Sequence, residues 1–251
     1  MSAAELFDLT GRVALVTGGS RGLGKAMVTA FARAGADVVV ASRKLDNCIT
    51  VAEEVERTTG RRALPYACHV GRWDELDGLV DAAYGAFGKV DVLVNNAGMS
   101  PLYPSLMDIT EDLWDKVMAI NLKGPFRLSV LIGTRMTAGE GGSIINVSSA
   151  GSLRPAPHIV PYASAKAGLN ALTVSLAHAF GPKVRVNTLM PGPFQTDISA
   201  SWGEESAKRR EGMALGRVGQ IDEIVGGALY FASDASSFST GSLLQVDGGL
   251  R

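Results

Sequence analysis

With 251 residues, 46% of them hydrophobic, the chain carries enough apolar material for a substantial core, and one α/β unit is the expected outcome. Its 24 basic and 25 acidic residues leave a formal net charge of -1, which excludes a general attraction to nucleic acid or to an anionic membrane; any anion must be recognised locally. Cys48 and Cys68 are too few for a disulfide framework and lack the spacing of a metal site, so no metal is expected and both read as buried small side chains in a reducing compartment.

The opening residues, MSAAELFDLTGR, lack the basic start and apolar run of a secretory signal, and no stretch is long and apolar enough to span a bilayer. A cytoplasmic protein is expected. Seven short runs rich in β-branched residues then alternate with longer helical patterns: 12–17, 36–42, 62–67, 90–95, 142–148, 184–190 and 242–247. Nearly continuous apolar strands separated by amphipathic helices indicate a seven-stranded parallel sheet with helices on both faces, a doubly wound α/β architecture, because each crossover lays a helix over the sheet. Nothing along the chain resembles a linker, repeat or low-complexity tract, so 1–251 reads as a single domain. Residues 193–219 break the rhythm, mixed in charge and interrupted by glycine, and read as a substrate-binding excursion or lid.

Directly after the first strand comes TGGSRGLGKAM, with Gly18, Gly22 and Gly24 ahead of a helix. Glycines let the backbone approach a ligand, and the helix N-terminus offers unpaired N–H groups to a pyrophosphate, so in this context the loop predicts a dinucleotide site. An acidic residue closing the second strand would accept hydrogen bonds from the adenosine ribose hydroxyls. This chain has Ala41, Ser42 and Arg43 there, and a guanidinium fork suits a 2′-phosphate, with Arg21 available as a second one. NADP(H) is therefore expected over NAD(H), although Arg43 and Lys44 also fit the start of a solvated helix.

Tyr162 and Lys166 stand four positions apart in YASAK, one helical turn, on one side of a helix. Together with NNAG (95–98), NLKGPF (121–126), NVSS (146–149), PGPFQT (191–196) and VDGG (246–249), the chain resembles the short-chain dehydrogenase/reductase family over essentially its whole length. The resemblance implies a single-domain Rossmann fold and a carbonyl/secondary-alcohol oxidoreductase acting by hydride transfer on a small molecule. Tyr162 would be the general acid/base, since a phenol of ordinary pKa about 10 needs help to form its anion near neutrality, and Lys166 with the oxidised nicotinamide would supply it. Ser149 would hold the substrate oxygen, and no serine-hydrolase triad context surrounds it. Asn121 is implied as the anchor of a water linking Lys166 to solvent; on its own it is equally a structural asparagine that kinks a helix.

The same likeness assigns Ser20 and Leu23 to the glycine loop, and Tyr162 and Lys166 also to the nicotinamide ribose. Asn95, Ala97 and Gly98 fall beside the adenosine ribose, where Asn95 also fits a purely structural bridge. Pro191, Gly192, Phe194 and Thr196 fall against the nicotinamide carboxamide. His69 and Val70 stand where the family usually carries an acid and a small apolar residue against adenine. A neutral imidazole accepts one hydrogen bond there, or it is a solvated side chain.

Met99, Leu102, Tyr103, the segment from Ser149 to His158, Phe194, Ile198 and Trp202 are the expected pocket, which favours a hydrophobic or amphipathic substrate. Arg154 or His158 would meet an anionic far end. A 3-oxoacyl-acyl-carrier-protein or acyl-CoA reductase is the alternative, weakened because the connection before the fifth strand, TRMTAGEGGS, has one arginine and no basic cluster for an acidic carrier, and the stretch before the sixth offers only Lys183 and Arg185. A non-catalytic NADP-binding scaffold or sensor is the other. Family members of this length commonly form tetramers, so a homotetramer is expected.

Overall fold

The computed structural model describes residues 2–196 and 212–250. All seven strands form, each within two residues of its expected bounds: β1 (Val13–Thr17), β2 (Asp37–Ser42), β3 (Ala63–Ala67), β4 (Val92–Asn95), β5 (Gly142–Val147), β6 (Val184–Pro191) and β7 (Leu243–Val246). They make one parallel sheet in the order β3-β2-β1-β4-β5-β6-β7. The order reverses between β1 and β4, and in such sheets ligands bind in the crevice beyond the strand ends at that point.

After a short α1 (Ala3–Leu6), the crossovers are α2 (Gly22–Arg33), α3 (Leu45–Thr59), α4 (Glu75–Phe87), α5 (Glu111–Met118) running on into α6 (Gly124–Ala138), α7 (Val160–Phe180) and α8 (Val225–Ala232). Alternation along each strand sends side chains to opposite faces. Ala14, Val16, Val38 and Val40 meet Met27, Phe31, Val51 and Phe231 from α2, α3 and α8 on one face. Leu15, Val39 and Leu93 meet Leu76, Leu79, Leu128, Ile132 and Leu176 from α4, α6 and α7 on the other. Each large side chain buried this way contributes about 1.5–3 kcal/mol, so the two cores fix the helices on the sheet. Pro65 is tolerated in β3 because that strand pairs only on the β2 side, where Pro65 faces Val40 in the register.

Two local features position the site. Between α5 and α6, residues Ala119–Lys123 form a π turn that carries Asn121, a wider coil of the kind found at functional positions. At the foot of the 193–219 excursion, Gly219 N–H donates to the Pro193 carbonyl and Gln195 N–H to the Gly219 carbonyl, tying its two ends together.

Candidate active site

The loop after β1 is packed so tightly that its third glycine has no substitute: a Cβ on Gly24 would sit 2.1 Å from the Gly18 carbonyl oxygen. α2 starts at Gly22 with no side chain capping its first amides, which leaves them directed at an incoming anion. Arg21 and Arg43 are both exposed, and among the described residues neither guanidinium pairs with a carboxylate. Ser42 instead shares a hydrogen bond with Cys48 Sγ at 3.1 Å. Thr196 lies across the crevice, where a Cβ on Gly22 would stand 3.8 Å from its Cγ2.

The two asparagines ending β4 divide their tasks. Asn95 is buried and its amide donates to Asn146 Oδ1 (2.9 Å), Ser129 Oγ (3.0 Å) and the Pro125 carbonyl (3.5 Å), the structural bridge left open as an alternative above. Asn146 continues the bridge to Thr173 Oγ1 (2.9 Å), which also accepts from Thr188 Oγ1 (2.9 Å), so α7 is tied to β4, β5 and β6. Asn96 faces the glycine loop, donating to the Thr17 carbonyl at 2.9 Å and the Gly18 carbonyl at 3.3 Å. Thr17 Oγ1 in turn accepts from the Asn96 and Ala97 amides at 3.0 and 3.1 Å.

Beyond the ends of β4 and β5 the remaining residues converge. Lys166 is 2% exposed; its Nζ donates to the Val147 carbonyl at 2.7 Å and lies 5.8 Å from the centre of the Tyr162 ring. Ser149 accepts from the Gly151 amide at 3.1 Å and hydrogen-bonds the Tyr162 phenol. A Cβ on Gly98 would lie 2.9 Å from Asn121 Oδ1 and 3.7 Å from Lys166 Nζ, so only a glycine lets Asn121 and Lys166 close around that backbone. Asn121 holds the Met99 main chain from both sides, accepting from its N–H at 3.3 Å and donating to its carbonyl at 2.9 Å. Its amide also reaches the Val117 carbonyl at 2.9 Å.

Burial dominates the electrostatics of the pair. It raises the Tyr162 pKa, against a smaller lowering by the Ser149 hydrogen bond, and it brings the Lys166 ammonium down to about 8. At about 8 Lys166 still carries its proton for most of the time at neutral pH, while the direction of the Tyr162 shift is set by desolvation, which outweighs the Ser149 hydrogen bond.

Residues 18–251 match the protein-family model described as Enoyl-(Acyl carrier protein) reductase. Dehydrogenase/reductase SDR family member 4 of Homo sapiens is 35% identical over 245 residues, covering 96% of this chain and 88% of its own. The chain belongs to the short-chain dehydrogenase/reductase family. Among solved structures, a 7α-hydroxysteroid dehydrogenase complexed with NADH and 7-oxo glycochenodeoxycholic acid superposes with a TM-score of 0.95 at 33% identity, covering 100% of this chain and 98% of its own. A gluconate 5-dehydrogenase from Burkholderia cenocepacia J2315 in complex with NADP and tartrate gives 0.92 at 33%, covering 99% and 98%.

This short-chain dehydrogenase/reductase is accordingly an oxidoreductase, and the constellation just described is its candidate centre. Ile198 and Trp202, expected in the pocket, lie outside the described residues. Leu102 is exposed, whereas Tyr103, Pro101, Val117, Ile159 and Pro161 pack around Tyr162 with no room for a water between them. Arg154 approaches Asp247 at 3.8 Å, and His158 is exposed. His69 Nδ1 accepts from the Gly71 amide at 3.2 Å while the main-chain N–H of His69 donates to Glu75 Oε2 at 2.8 Å. Val70 is buried with its carbonyl against Gly124. The sequence reading missed Thr17 and Asn96, whose signal was only a threonine and a second asparagine at strand ends.

Proposed function

We propose that this oxidoreductase is NADP(H)-preferring and interconverts a carbonyl and a secondary alcohol on a hydrophobic or amphipathic small molecule, with Tyr162 as general acid/base. The observation that carries this reading is the convergence of Ser149, Tyr162, Lys166 and Asn121 on one point beyond β4 and β5, reached from the same crevice as the glycine loop.

The residues fit a nicotinamide dinucleotide: the crowded backbone of Gly18 and Gly24 with the start of α2 for the pyrophosphate, and the guanidinium groups of Arg21 and Arg43, neither paired with a carboxylate among the described residues, for a 2′-phosphate. Such a cofactor, when bound, supplies the hydride for the carbonyl carbon. Ser149 Oγ donates a hydrogen bond to the carbonyl oxygen and holds it beside Tyr162, whose hydroxyl gives its proton as charge builds there. Lys166, near half-protonated at about pH 8, is suited to pass a proton back toward the phenol side. The Asn121 side chain is occupied by Met99 and Val117, so a relay water would rest on its main chain or on the second lone pair of Oδ1. Pro191, Gly192, Phe194 and Thr196 would border the nicotinamide, and the segment 193–219 is carried forward as the substrate-binding excursion or lid.

A free substrate is favoured over a carrier-borne one because Lys183 and Arg185 lie at the start of β6, at the opposite end of the sheet from the site, and are engaged internally. Lys183 Nζ donates to the Gly139 carbonyl, and Arg185 to Ser236 Oγ and the carbonyls of Phe231 and Ser233. A homotetramer is carried forward on the family likeness, with a cytoplasmic location; sedimentation tests the first. The decisive experiment is NADPH oxidation against a broad carbonyl panel, with Tyr162→Phe as control. Turnover that survives in the variant would remove the acid/base assignment, and failure of the whole panel alongside tight NADPH binding would favour a non-catalytic sensor.

A further inference from the structure

We propose that Tyr103 is a positioning residue for catalysis: its phenol pins the segment after β4 to the first turn of α7 and thereby sets where Tyr162 meets the substrate oxygen. The inference rests on the reading of Tyr162 as acid/base and adds to it a residue that acts through its two main-chain hydrogen bonds and not on the reacting atoms.

The Tyr103 hydroxyl accepts from the Val160 amide at 2.7 Å and donates to the Pro157 carbonyl at 2.7 Å. Val160 is the first residue of α7, and the preceding Ile159 offers no side-chain cap. A first-turn amide of this kind ordinarily finds a serine, threonine or aspartate oxygen next to it in sequence. Here the acceptor comes from 57 residues away. Tyr162 lies in that same first turn, two residues on.

The other end of the segment is fixed as well. Asn121 grips Met99 through both its N–H and its carbonyl. Residues 99–103 therefore form a strap with one clamp on the π turn and one on α7, each beside a proposed catalytic group. Between the clamps, Tyr103 packs into one close apolar wall with Pro101, Val117, Ile159, Pro161 and Tyr162. A movement of the strap must alter that wall and the depth of Tyr162 together, and a displacement near 1 Å at a reacting group can lower turnover about a hundredfold.

The test is Tyr103→Phe, which keeps the ring and removes both hydrogen bonds. The Val160 amide should exchange with solvent at least about tenfold faster, by the loss of its acceptor; unchanged exchange would overturn the contact. With a carbonyl from the panel, kcat should fall roughly ten- to hundredfold while the Kd for NADPH, by fluorescence titration, moves less than about twofold. The primary isotope effect on kcat with NADPH deuterated at the transferred position should rise, because hydride transfer has become slower than release. A merely structural role would lower kcat through fewer active molecules and leave the isotope effect where it was, and that result, like wild-type turnover, would overturn the proposal. Tyr162→Phe is run in parallel: if it is dead while Tyr103→Phe is normal, only this inference fails, whereas an active Tyr162→Phe removes the underlying acid/base reading.

Discussion

Lys166 Nζ and the carbonyl oxygen of Val147 are joined by a 2.7 Å hydrogen bond inside a site where the lysine is 2% exposed. One neutral acceptor is weak compensation for a buried ammonium, which is why burial brings the Lys166 pKa from 10.5 to about 8. Between about pH 8 and 10.5 the unfolded chain binds more protons than the folded one, so this lysine makes the protein more stable as pH rises through that window. Below it, the charged amine is a full penalty of roughly 3 kcal/mol. Lys166→Met should therefore stabilise the cofactor-free protein at pH 7 by about 2 kcal/mol after the loss of the Val147 contact, with the advantage shrinking toward pH 10. Urea denaturation of both proteins at pH 7 and 9.5 measures it; an advantage that grows with pH would refute the assignment.

The phenol leads to a second expectation. Because burial raises the Tyr162 pKa above 10, its proton-donating form persists across the neutral range. Carbonyl reduction should not decline with pH until the alkaline end. Alcohol oxidation, which needs the anion, should climb throughout. Tyr162→Phe should reduce both directions by roughly 10²–10⁴-fold and flatten the oxidative profile. Steady-state rates from pH 6 to 10 in each direction provide the check.

How far sequence alone reaches is visible at β4. The run 90–95 reads as a buried strand because every residue is apolar or a turn former, and the same continuity made all seven strands legible. The paired glycine loop and the Tyr162–Lys166 spacing were legible too, since those signals lie within a few residues of one another. Which of Asn95 and Asn96 faces inward was not: it is fixed by Thr17 and Asn146, which are distant in the chain. The π turn at Ala119–Lys123 and the Tyr103 clamp on Val160 are likewise products of packing between elements rather than of local pattern. Desolvation of Lys166 belongs with them, because a spacing rule places an amine near a phenol without saying how dry the site is.

The ribose end predicts a cofactor switch. Arg43 is exposed and unpaired among the described residues, and a phosphate contact from such a group is a charge-assisted hydrogen bond. Arg43→Asp should weaken NADPH binding at least about tenfold, about 1.4 kcal/mol, and leave NADH binding unchanged or tighter. Fluorescence titrations with both dinucleotides decide it. Equal losses for the two would mean that Arg43 holds the loop and not the phosphate.

His69 makes the narrowest prediction. Its Nδ1 is the acceptor for the Gly71 amide at 3.2 Å, so a neutral ring must carry its proton on Nε2. The imidazole then presents a donor to whatever lies against it at the end of β3. A carboxylate at this position would accept from the exocyclic amine of adenine; a donor instead suits the carbonyl that replaces that amine in hypoxanthine. The hypoxanthine analogue of NADPH should accordingly bind to the wild-type protein as tightly as NADPH, or up to several-fold more tightly. His69→Asp should reverse the order, since a carboxylate is acceptor-only and faces the hypoxanthine carbonyl with a like dipole. Dissociation constants for the two cofactors with the two proteins form a complete square. If His69→Asp leaves the ratio of the two constants where wild type has it, the imidazole does not face the base.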